Sequence, residues 1–202
     1  MFSKILYFLV VLVIPMLTKD ESKSIGFGSK SNCLIHNGEY KFEFLYSVND
    51  NKTKEINKKT RTYLLGLVKV NDFNKLRWSL IQTNNHSGQY YLKSSFYGDY
   101  LCAKSVYADI FNTKRIVIRQ KIKSNFLIPF DNCKWKITQV DSNTSNNTYL
   151  IANVFFKQPL FADSSYFFPE LNFKKEIFLS NNKKDLTTRK VKWMIDCIKG
   201  KI

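Results

Sequence analysis

Histidine, glycine, proline and acid are all scarce in this 202-residue chain, and each scarcity removes a class of chemistry. The two histidines, His36 and His86, stand far apart with no Cys-x-x-Cys or His-x-x-x-His spacing beside them, so neither has the company a zinc site needs. Seven glycines include no phosphate-cradling loop, and four prolines with no Pro/Gly/Ser-rich stretch leave no linker to divide the chain. Asp and Glu number 16 against 32 Lys and Arg, and the acids present, such as Asp163 and Glu170 or Asp99 and Asp109, show no pairing that recommends glycoside hydrolysis. The expectation is a protein that is not an enzyme and that uses no cofactor and no metal.

Long apolar runs are also missing after the first residues. Behind Met1-Phe2-Ser3-Lys4, the segment from Ile5 to Leu17 is an apolar block of 13 residues. That is the length of a secretory h-region, and it falls short of the roughly 20 residues a bilayer span requires. Residues 1–18 are therefore predicted to be a signal peptide, cleaved between Thr18 and Ser24, and residues 25–202 a single secreted domain without a transmembrane span. A monomer is expected. Removing Lys4 with the signal takes the net charge from +16 to about +15.

What is abundant is aromatic and cationic. Phe and Tyr supply 17 and 11 residues, and the aromatic, β-branched and Asn-rich stretches lack helical periodicity, which favours an all-β fold. Four cysteines, Cys33, Cys102, Cys133 and Cys197, follow the signal, and an even count in an oxidising compartment reads as two disulfides with three possible pairings. Oxidised thiols also leave no cysteine nucleophile. Sequons begin at Asn51, Asn85, Asn143 and Asn146, and each is a possible N-glycosylation site, although so Asn-rich a chain produces some by chance.

An internal repeat organises these residues. Arg77-Trp78-Ser79-Leu80, Lys134-Trp135-Lys136-Ile137 and Lys192-Trp193-Met194-Ile195 place their tryptophans 57 and 58 positions apart. A second landmark keeps nearly the same step: Tyr91-Leu92 ahead of Leu101-Cys102-Ala103 matches Tyr149-Leu150 ahead of Leu160-Phe161-Ala162, with Leu92 and Leu150 again 58 apart. The first copy is degenerate and begins at Cys33-Leu34-Ile35. Three units, at about 31–82, 88–140 and 147–198, with four short strands each make twelve strands. A period above 50 is too long for most solenoids, and three copies are too few for an ordinary propeller. Three hairpin pairs that close on themselves remove exposed edges, and the expected fold is a β-trefoil of pseudo-equivalent units of about 57–58 residues.

In pattern the chain resembles the small secreted trefoil-like proteins of insects, of salivary or haemolymph type. Tyr91-Leu92-Lys93, Tyr97, Tyr100-Leu101-Cys102-Ala103, Lys114-Arg115 and Trp135-Lys136-Ile137 carry the resemblance. It implies a trefoil over nearly the whole mature chain and brings no catalytic residues. In such an architecture the first and last strands are neighbours, so Cys33 would pair with Cys197 and Cys102 with Cys133, each bridge contributing on the order of 3–4 kcal/mol.

The three tryptophans invite a reading as a triplicated sugar site, but their alternation with apolar neighbours places them in the core instead. Ricin-type lectins mark each repeat with Gln-x-Trp, whereas Leu76, Cys133 and Val191 precede the tryptophans here. The cationic excess is the feature that points to a partner. Alternation along 114–123 puts Arg115, Arg119, Lys121 and Lys123 on one face as a cationic stripe, with Ile116, Ile118 and Ile122 on the core face. Lys183, Lys184, Arg189, Lys190 and Lys192 form a second group, whose place in the third repeat is similar to the heparin-binding segment of fibroblast growth factors. Several cations facing one polyanion each release counterions, so the expected ligand is an extracellular polyanion such as a sulfated glycosaminoglycan. A lysine-rich solvated surface would have the same composition. Alternatives from other classes are a protease inhibitor acting through loop 49–60 or 163–174, a carbohydrate-binding lectin, a salivary effector with an unidentified host protein as target, and a storage protein without a ligand.

Overall fold

The computed structural model describes residues 28–40, 43–47, 60–66, 73–83, 88–107, 109–121, 131–141, 147–163 and 174–198. The expected signal segment and the acceptor asparagines of all four sequons lie outside them. Among the described residues every regular element longer than a 3-10 turn is a β-strand: β1 (Lys30–Asn37), β2 (Glu43–Ser47), β3 (Thr60–Gly66), β4 (Arg77–Gln82), β5 (Gln89–Ser94), β6 (Tyr100–Tyr107), β7 (Lys114–Gln120), β8 (Lys134–Asp141), β9 (Thr148–Asn153), β10 (Leu160–Asp163), β11 (Lys174–Ser180) and β12 (Lys192–Cys197).

Pairing closes six of these into a ring: β1 with β4, β4 with β5, β5 with β8, β8 with β9, β9 with β12, and β12 back to β1, all antiparallel. Hairpins β2–β3, β6–β7 and β10–β11 stand off the ring. Their inner strands β3, β7 and β11 pair with one another at one end, forming a three-sided cap. Closure satisfies the backbone groups that an open sheet would leave at its edges.

The core follows the alternation of the ring strands. Ile35, Leu80, Leu92, Ile137, Ile151 and Ile195 point inward with Trp78, Trp135 and Trp193, all buried. Each indole donates to a backbone carbonyl of the hairpin above it: Trp78 Nε1 to Leu45 at 2.8 Å, Trp135 Nε1 to Leu101 at 2.8 Å, and Trp193 Nε1 to Leu160 at 3.0 Å. The large apolar ring fills the barrel, and its one polar atom ties barrel to cap. Directly opposite the tryptophans on the neighbouring strands sit Asn37, Ser94 and Asn153. All three are buried polar residues, and their side-chain oxygens accept from the backbone N–H of Glu39, Tyr97 and Phe156 in the turns that follow.

That equivalence corrects one detail of the repeat. Ser94 and Asn153 are 59 apart, so Leu92 corresponds to the buried Ile151 and not to Leu150, which is only half-buried. A slip of one residue turns a strand over, and the sequence match had paired side chains on opposite faces.

Cys33 is bridged to Cys197, and Cys102 to Cys133. The first bridge joins directly opposed residues of β1 and β12, the first and last strands of the ring. The second ties β6 to the 3-10 turn Asp131–Cys133 and is packed under Tyr91 and Ile118.

Candidate polyanion-binding surface

Strand β7 does not present the cationic stripe expected of it. Arg115 and Arg119 are only 8% and 5% exposed. The alternation itself holds, since Arg115, Val117 and Arg119 share a face, but that face is covered. The cover comes from two pseudo-equivalent turns. After β5, the turn Ser94–Asp99 lays Tyr97 against Arg119, whose Cζ is 4.0 Å from the ring centroid, and Arg119 Nε pairs with Asp99 at 3.0 Å. After β9, the turn Asn153–Gln158 lays Phe156 against Arg115 at 4.0 Å, with Tyr107 at 4.2 Å and Gln158 Oε1 accepting from Arg115 Nε at 3.1 Å. Arg115 also donates to the carbonyls of Lys104 and Ser105 and to the Tyr107 hydroxyl. Both guanidinium groups are structural, stacked on aromatic rings, with Arg115 hydrogen-bonded and Arg119 ion-paired, as suits arginine better than lysine.

Of the remaining residues of that stripe, Lys121 is exposed just beyond the end of β7, and Lys123 lies outside the described residues. The second basic group stands elsewhere. Ser180 is opposite Lys114 in the β11–β7 ladder, so the loop that follows β11 begins at the opposite end of β7 from Lys121. Seven residues of strand separate the two, about 20 Å at the usual rise. Lys121 and the basic loop therefore stand apart.

The loop itself is well fastened. Ser180 Oγ donates to Asp185 at 2.5 Å, Asn181 donates its backbone N–H to Thr113 O and its side-chain amide to Asn112 O, and Asn37 Nδ2 reaches Lys190 O at 2.9 Å. Val191, in the 3-10 turn Arg189–Val191, is buried and anchors the far end. Between these anchors Lys183, Lys184 and Arg189 are exposed, while Lys190 and Lys192 are half-buried, the former 5.8 Å from the Phe161 ring. The acid within the loop, Asp185, is engaged by Ser180, and nearby Asp163 is held by Lys114 in an ion pair. Lys183, Lys184 and Arg189 make no ion pair among the described residues.

Neighbouring features were not visible in the sequence. The turn between β6 and β7 is organised by Asp109, whose carboxylate accepts from the backbone N–H of Thr113 and Lys114, each at 2.9 Å, and from the Thr113 hydroxyl. Partial burial pushes the Asp109 carboxyl upward, but these hydrogen bonds outweigh it and the net result lies below the ordinary value of 3.8. Phe96 and Phe155, at equivalent places in the two arginine-covering turns, are exposed. In those turns Gly98 and Lys157 both have positive φ, +72° and +53°. Glycine takes that conformation freely, whereas a lysine there costs about 1 kcal/mol. Leu76, Cys133 and Val191, which stand where lectins carry the glutamine of Gln-x-Trp, are all buried. The candidate inhibitor loops fall almost wholly outside the described residues.

The ring, the cap and the threefold recurrence of the indole bond define a trefoil-like fold. Comparison with solved structures gives the same answer: the designed threefold-symmetric protein ThreeFoil superposes with a TM-score of 0.57 at 11% identity, covering 82% of this chain and 98% of its own. A salivary protein of Culex quiquefasciatus, of the cysteine- and tryptophan-rich family, gives a TM-score of 0.57 at 16% identity, covering 86% and 98%. SeviL bound to asialo-GM1 saccharide gives 0.51 at 14% identity, covering 83% and 98%. At such identities the likeness is one of fold. No protein-family model matches the chain, and no curated protein matches its sequence.

Proposed function

We propose that this chain is a secreted, non-enzymatic binding protein built as a three-unit, twelve-strand β-trefoil, and that it engages extracellular polyanions such as sulfated glycosaminoglycans through the loop after β11. The observation that carries the reading is that Lys183, Lys184 and Arg189 are exposed on an anchored loop while the loop's own acid is bonded to Ser180. A fixed cluster of uncompensated cations gains affinity from counterion release without first ordering the loop. Lys190 and Lys192 border this cluster. Arg115 and Arg119 leave the proposed site, since their guanidinium groups are engaged in the fold. Two disulfides, with no helix among the described residues long and apolar enough to cross a membrane, support an extracellular setting.

The test is elution from immobilised heparin. Wild-type protein is expected to require salt well above physiological strength, and a variant carrying Lys183→Glu, Lys184→Glu, Arg189→Glu and Lys190→Glu is expected to elute near physiological salt with unchanged circular dichroism. Unchanged elution of the variant would overturn the site.

A second reading is favoured by Phe96 and Phe155, exposed aromatic rings at equivalent turns, which offer flat faces on which a neutral sugar stacks. The fold neighbour SeviL is bound to asialo-GM1 saccharide. Binding that survives high salt on a glycan array and is lost on Phe96→Ala and Phe155→Ala substitution would favour it over the polyanion.

A further inference from the structure

Eight large apolar side chains among the described residues are exposed, and five of them hang from segments fastened to the first two residues of β7 or to the two residues before it. Val106 follows the two carbonyls that Arg115 binds, and Phe155 stands edge-on to Phe156, which stacks on the same guanidinium. Ile110 and Phe111 form the tip of the Asp109 turn, which is bonded to the Lys114 backbone. Leu186 belongs to the loop that Asn181 ties to Asn112 and Thr113. Ile110 and Phe111 project furthest, at 89% and 78% exposure. Exposed apolar tips gathered on hydrogen-bonded segments in this way mark an interaction surface.

The surroundings indicate its occupant. Lys157, Lys183 and Lys184 are exposed and make no ion pair among the described residues, and Lys157 is kept at a positive φ where the second unit has glycine. Three acids of the described residues here are internally engaged: Asp109 by its own turn, Asp163 by Lys114 and Asp185 by Ser180. Exposed cations thus stand on segments that are hydrogen-bonded to the apolar turn or to the strand it leads into. A convex apex made of two adjoining side chains is desolvated on all sides only by a medium that flows around it. A folded protein partner would need a matching socket, whereas the boundary between lipid headgroups and acyl chains needs none.

We propose that the turn between β6 and β7 docks this protein on anionic lipid bilayers, with Ile110 and Phe111 entering the headgroup–acyl boundary and Lys157, Lys183 and Lys184 facing acidic headgroups. The proposal does not rest on the polyanion reading, because the two apolar side chains play no part in binding a sulfated chain. Co-sedimentation with phosphatidylcholine vesicles, with and without phosphatidylserine, tests it. Wild-type protein is expected to partition to the phosphatidylserine vesicles, and the Ile110→Ser/Phe111→Ser double variant to lose at least about tenfold in partitioning. The same variant is expected to keep its thermal midpoint, since both side chains are exposed, and to elute from heparin as wild type does. A Phe111→Trp variant, whose new indole joins three buried ones, is expected to shift its emission to the blue on vesicles and to be quenched by acyl-chain-brominated lipid. Absence of binding to phosphatidylserine vesicles, or equal partitioning of wild type and double variant, or a Phe111→Trp emission that vesicles leave unchanged, overturns the proposal.

Discussion

At the scale of single residues, Arg119 separates a structural cation from a binding one. Its guanidinium lies between the Tyr97 ring and the Asp99 carboxylate, and both partners of the ion pair are largely buried. Arg119→Ala leaves Asp99 without its counter-charge and Tyr97 without its stacking partner. The expected cost is about 3 kcal/mol of unfolding free energy in urea titration, with heparin elution of the folded protein unchanged. A large drop in elution salt without loss of stability would return Arg119 to the binding surface. Alternation along 114–120 told which side chains share a face of β7, but it carried no information about what lies over that face. The cover comes from turns in the second and third units, and Phe156 is 41 positions from Arg115 in sequence. The tryptophans were legible because burial of a large aromatic ring repeated at a fixed interval needs no knowledge of loops.

Among the elements, the turn between β6 and β7 depends on one ionised group. Because the Asp109 carboxyl sits below its ordinary value of 3.8 in the folded turn, the charged form is the one the turn prefers. Its contribution is complete above the unfolded carboxylate pKa and is lost as acid takes the pH down through the lower, folded value. Hydrogen exchange at the Thr113 and Lys114 amides, corrected for intrinsic rate, is therefore expected to accelerate in that acid window relative to ring strands such as β5 and β8. Asp109→Ala should produce the same local loss of protection at neutral pH. Uniform exchange behaviour across the sheet would show that the carboxylate does not hold the turn. This element was invisible in the sequence because an Asp five residues before a Lys is unremarkable until the chain between them folds back.

For the molecule as a whole, the two bridges have unequal weight. Cys33 and Cys197 enclose a separation of 164 residues, and Cys102 and Cys133 one of 31. In the chain-entropy limit the first removes about 5 kcal/mol of unfolded-state freedom and the second about 4. Thermal melting of Cys33→Ser/Cys197→Ser should therefore show the larger fall in midpoint, and the reverse order would mean that packing around the Cys102–Cys133 bridge under Tyr91 outweighs the entropy. The pairing was within reach of the sequence once three units were seen to close. The anchoring of the basic loop was not, because it depends on Asn37 and Asn112, which are distant in sequence and ordinary in type.

Because the bridge spans opposed residues of β1 and β12, a force applied outside positions 33 and 197 passes through sulfur rather than through the barrel. Pulled from its two ends, the oxidised protein should show no unravelling of the intervening chain, and a reductant should release that length in steps. Tension borne in this way leaves every other strand unloaded.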